Sequence, residues 1–129
     1  MAARMRVPET PGLLVNGFLA LGDAGADSSV AEDRLVKCGI RFRTKKALSV
    51  QGSLGGGAGT KTQGVDVSTP IGKTVELRVV VDLGAAKVTF TADGHLVEAK
   101  LDPPLKAVTH VGYAVDNAVA EFSAIEIKP

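Results

Sequence analysis

The sequence predicts an all-β fold, an antiparallel sandwich in one domain, and three observations carry that prediction. Apolar side chains alternate with polar ones at period two through the C-terminal half, as at Val75, Leu77, Val79 and Val81 against Glu76, Arg78 and Asp82. Turn signals, above all Asp93-Gly94, separate these runs at short intervals. No stretch sustains helical periodicity, while Val, Thr and Ile are abundant and Gly numbers 15.

The chain opens less regularly. Residues 1–129 read as a single sandwich domain with 1–11 as a disordered tail, which has two arginines, Arg4 and Arg6, and no apolar segment of the kind that makes a signal peptide. Residues 14–21 read as the first strand, with Gly17 as a bulge, and are too short and too interrupted to span a bilayer. An acidic loop follows over 22–34, with at most one helical turn after Ser28 or Ser29. Residues 35–43 and 47–51 form a hairpin joined at 44–46. The glycine-rich run 52–64 reads as a flexible loop and 65–67 as a short edge strand before Pro70.

From there the pattern sharpens. Residues 75–82 form a strand, and a short turn over 82–86 leads to Val88, Phe90 and Ala92 on one face of the next. Asp93-Gly94 returns the chain as a strand over 95–101, completing a three-stranded meander that Pro103-Pro104 ends. Two further strands, 108–115 and 118–128, flank Asp116-Asn117. Val111, Tyr113 and Val115 share a face. In the last strand Phe122 is out of phase with Ile125 and Ile127, and a bulge near Ser123 reconciles them.

Composition narrows the function classes. Apolar residues at 45% and charged residues at 22% describe a globular chain, and 129 residues suffice for a core without disulfides. With 15 Lys+Arg against 14 Asp+Glu and no dense basic run, the nucleic-acid class is excluded. Arg41, Arg43, Lys45 and Lys46 read as a solvated sheet face. Cys38, the single cysteine, sits in an apolar strand pattern and reads as an inert core thiol. Neither a signal peptide nor a membrane segment is visible, and the compartment stays unassigned.

Motifs that carry chemistry are scarce. The glycine run resembles a phosphate loop only superficially, because Thr60 separates Gly59 from Lys61 and no helix pattern follows. His95 and His110 are too few for a zinc site and read as surface residues. Glycoside hydrolysis needs paired carboxylates across a cleft, whereas Glu76, Glu98, Glu121 and Glu126 fall at outward strand positions. Loop acids offer the one cofactor alternative. Calcium takes about six to eight oxygens, and Asp23, Asp27 and Asp33 are the candidate ligands, against a reading as solvated carboxylates with no cofactor at all.

Residues 74–82 (TVELRVVVD) and 86–94 (AKVTFTADG) resemble the paired strands of concanavalin A-like and laminin G-like jelly rolls. Residues 111–127 (VGYAVDNAVAEFSAIEI) are similar to their last two strands, including those of bacterial keto-disaccharide-hydrolase-like domains. The resemblance implies a jelly-roll sandwich and a non-catalytic binding or accessory module, with glycans as partners. It departs in having no Trp and a single Tyr, which leaves Tyr113 as the one strong stacking residue, on a face that implies burial with a hydroxyl partner. The candidate ligand-binding residues are Tyr113, Asp116, Asn117 and His95. A shortened sandwich would leave a sheet edge open, so the alternatives are a self-assembling homo-oligomer joined at that edge and a small carbohydrate-active hydrolase.

Overall fold

A computed structural model describes residues 1–7, 15–22, 34–42, 46–54, 61–66, 72–101, 104–116 and 119–129. Among the described residues every regular element is a strand. They are β1 (Ala2–Arg6), β2 (Val15–Gly22), β3 (Arg34–Phe42), β4 (Lys46–Leu54), β5 (Lys61–Asp66), β6 (Val75–Asp82), β7 (Lys87–Ala92), β8 (His95–Lys100), β9 (His110–Asp116) and β10 (Glu121–Phe122). Two antiparallel five-stranded sheets result, ordered β10-β1-β6-β7-β8 and β5-β4-β3-β2-β9, in a β-sandwich-like architecture.

The core lies between the sheets and follows the period-two pattern. From the first sheet come Ala3, Met5, Val75, Leu77, Val79, Val88, Phe90, Ala92 and Val97, and from the second Leu19, Leu21, Val36, Cys38 and Ile40, all buried. Register explains the grouping, because residues directly opposite each other share a face. Val79 stands opposite Phe90, Phe90 opposite Val97, and Leu19 opposite Cys38. β3 packs over β7, while β4 and β5 lie over β8. The expected meander is present as β6–β7–β8, with Asp93 (φ 51°) and Gly94 (φ 82°) both left-handed at its tight turn. At the other turn the Ala85 N–H donates to Asp82 Oδ1 at 2.8 Å.

Several expectations need correction. The segment read as a tail enters the first sheet as β1, between β6 and β10. Its buried face is Ala3, Met5 and Val7, and Arg4 is exposed on the other. Gly17 makes no bulge, since β2 runs in unbroken register with both β3 and β9. Its glycine is instead a matter of space: a Cβ there would overlap the Met5 sulfur and lie 3.3 Å from its methyl carbon. The supposed loop over 52–64 is largely hairpin, with Gly52 opposite Lys61, because ladder hydrogen bonds need only the backbone. Residues 55–60 and the acidic loop 23–33 lie outside the described residues.

The C-terminal strands are not a hairpin. β9 joins β2 in the second sheet, whereas β10 joins β1 in the first. β10 itself covers only Glu121–Phe122, and the expected irregularity follows it. Met5 pairs with Phe122 and Arg6 with Glu121, but Ala2 pairs with Glu126, one residue further on than that register allows. One extra residue therefore sits between Ser123 and Glu126, and it lets both Phe122 and Ile125 pack against the core. Ile127 remains exposed.

Candidate functional site

Among the described residues, those singled out from sequence do not converge. His95 begins β8, an edge of the first sheet that lies under β4 and β5. Tyr113 lies in the middle of β9, the edge of the second sheet farthest from β5. The two therefore occupy opposite sides of the sandwich. Asp116 ends β9 opposite Asn16. Asn117, Asp23, Asp27 and Asp33 lie outside the described residues. Among the described residues no three His, Cys, Asp or Glu side chains gather where they could hold a metal ion.

Tyr113 is the best-built feature of the β9–β10 side. It stands opposite Leu19, so it belongs to the core-facing side of its sheet. The sandwich does not close over it: Val111 is 36% exposed, Tyr113 44% and Val115 39%. The Tyr113 ring stacks on Phe122 across the two sheets, with centroids 4.4 Å apart and planes inclined by 25°. Its hydroxyl donates to the Ser123 carbonyl. That carbonyl needs the partner because the bulge has altered the ladder. Ser123 N–H still donates to the Arg4 carbonyl at 2.9 Å, but Arg4 N–H is taken by Ser123 Oγ at 2.8 Å. A hydroxyl partner for Tyr113 was legible from sequence, whereas its half-exposed ring was not.

Glu76, Glu98 and Glu121 have partners on the outer face of the first sheet. Arg6 grips Glu121 through Nε to Oε2 at 2.9 Å and Nη2 to Oε1 at 3.1 Å. This hydrogen bonding, and then the charge of Arg6, holds the Glu121 carboxyl below its usual range. Glu98 accepts from Lys87 Nζ at 3.2 Å and from Thr89 Oγ1 at 3.3 Å. Glu76 and Arg78 approach to 3.5 Å. A shallow depression of about 340 Å³ beside Met1 and Ala2 holds Arg78, Glu126 and Lys128 but no histidine or cysteine.

Cys38 is fully buried between the sheets, and burial pushes its thiol up, away from the thiolate that a nucleophile requires. His110 is exposed, with Nδ1 2.8 Å from Thr109 Oγ1. No helix among the described residues is long and apolar enough to cross a membrane. The chain matches no family model, no curated protein and no solved structure, so its chemistry is read from the two sheets and the β9–β10 side alone.

Proposed function

We propose that this protein is a non-catalytic binding or accessory module on a jelly-roll sandwich, with glycans as its ligand class. The observation that carries the reading is Tyr113, a residue 44% exposed whose ring is nonetheless fixed by Phe122 on one face and by the Ser123 carbonyl at its hydroxyl. A sugar ring stacks best on an aromatic surface that has little freedom left to lose on binding. The jelly-roll assignment draws support from the path of the chain. It passes from the first sheet (β1) to the second (β2–β5), back to the first (β6–β8), then to β9 and β10 in turn, with β1 and β10 as neighbours.

The test is a titration of the isotopically labelled chain with soluble glycans, with calcium present and then chelated, followed by NMR. Saturable shifts at Val111, Tyr113 and Val115 support the reading, and their loss on chelation adds a metal to it. No saturable shift with any glycan at millimolar concentration removes it.

A second reading is assembly through a sheet edge, and β9 favours it. Edge strands expose unpaired backbone groups, and soluble proteins usually guard them with charge, shortness or bulges. β8 carries Glu98 and Lys100, β5 carries Lys61 and Asp66, and β10 is two residues long beside a bulge. β9 has no charged residue between its ends.

A further inference from the structure

We infer that β9 pairs antiparallel with β9 of a second copy about a two-fold axis at Tyr113, an inference that rests on the assembly reading. Among the described residues β9 is a terminal strand of its sheet, bonded to β2 on one side only. It runs His110-Val-Gly-Tyr-Ala-Val-Asp116, seven residues with Tyr113 at the centre. Antiparallel self-pairing about that centre is complementary at every position. Tyr113 meets its own counterpart, Val111 stands opposite Val115, and Gly112 stands opposite Ala114. At both ends, His110 of one copy stands opposite Asp116 of the other.

The faces agree as well as the register. Val111, Tyr113 and Val115 lie on the core-facing side, where each is more than a third exposed because the first sheet ends in the short β10. Pairing sets the two exposed rows side by side, so that opposed apolar side chains pack on one another. His110, Gly112 and Ala114 fall on the opposite side, and the ladder sets each His110 across from Asp116 of the other copy. The small residues between them leave that face unobstructed: a Cβ added at Gly112 meets nothing within 4 Å. A two-fold interface requires this self-complementarity, since each residue i that meets j must also be met by it. Shifting the register by one residue removes both His–Asp pairs and sets one valine against alanine or glycine and the other against His110 or Asp116.

Three measurements on the full chain test the pairing. Sedimentation over micromolar to high-micromolar concentrations reads the mass, with a dimer expected. Oxidation of a Gly112→Cys/Ala114→Cys chain should yield a covalent dimer, because directly opposed Cα atoms lie within disulfide reach. Cys38 is buried and does not interfere. Gly112→Cys alone should crosslink far less, since its opposite residue is Ala114. Finally, His110→Asp sets acid against acid at both ends and should weaken the dimer about tenfold, while His110→Asp/Asp116→His should restore it.

A chain that stays monomeric at every concentration overturns this pairing and the assembly reading together. A dimer that neither crosslinks through the double variant nor recovers in the swap leaves assembly standing and overturns the β9 register. Equal crosslinking by Gly112→Cys alone overturns it too.

Discussion

The Tyr113 hydroxyl donates to the Ser123 carbonyl and thereby ties the edge strand of one sheet to the bulge in the other. The ring stack on Phe122 lies beside this bond, so hydrogen bonding and packing act on the same joint. Tyr113→Phe removes only the bond and is expected to cost about 0.5–1.5 kcal/mol. A double-mutant cycle between Tyr113→Ala and Phe122→Ala should return a coupling of about 0.5–1.5 kcal/mol in urea unfolding. Additive single effects would mean that the rings do not support each other.

Gly17 and Met5 form a second joint between the sheets. Gly17→Ala places a methyl group against the Met5 sulfur and should destabilise the chain by about 1–3 kcal/mol. The clash requires Met5, so in a Met5→Ala background the same change should add almost nothing. A full penalty in that background would assign the glycine to backbone conformation instead.

Two other glycines separate conformation from space. Neither Gly94 nor Gly112 has an atom within 4 Å of an added Cβ, but Gly94 sits at φ 82°. Gly94→Ala should cost about 1 kcal/mol or more, whereas Gly112→Ala should stay within about 0.5 kcal/mol of the parent. Thermal unfolding of both variants reads the contrast, and equal effects would contradict it.

Glu121 gives a pH signature. Arg6 depresses its carboxyl in the folded chain, by hydrogen bonding first and charge second. A depressed carboxyl contributes stability that is fully present above its unfolded pKa and is lost as pH falls through the folded one. Acidification from the ordinary glutamate range downward should therefore erode the parent more steeply than Arg6→Gln. Both side chains are exposed, so solvent screening keeps the effect small. An NMR titration should find the Glu121 midpoint higher in Arg6→Gln, and equal midpoints would show that the bidentate contact does not persist in solution.

The meander β6–β8 was legible because its alternation is strict and Asp93-Gly94 marks the turn, and the irregularity near Ser123 because Phe122 and Ile125 cannot otherwise both face inward. β1 was not, since Ala, Arg and Met are weak strand formers and its ladder partners lie far along the chain. Gly17 misled for a related reason: its close neighbour, Met5, belongs to the opposite sheet. The joint at Tyr113 needed the knowledge that β9 and β10 part company into different sheets. Alternation reports which face a residue occupies, but not how far the facing sheet extends.

The placement of β1 between β6 and β10 also orders events in time. The connections within β3–β5 and β6–β8 are short, so those meanders can form before distant parts of the chain meet. β1 cannot acquire its second neighbour until Phe122 and Glu126 have been made. During synthesis β1 thus waits with one edge unpaired, and it is fixed on both sides only after those residues emerge. That interval, rather than the finished molecule, is when this sheet is most exposed to capture by a chaperone or by a neighbouring nascent chain.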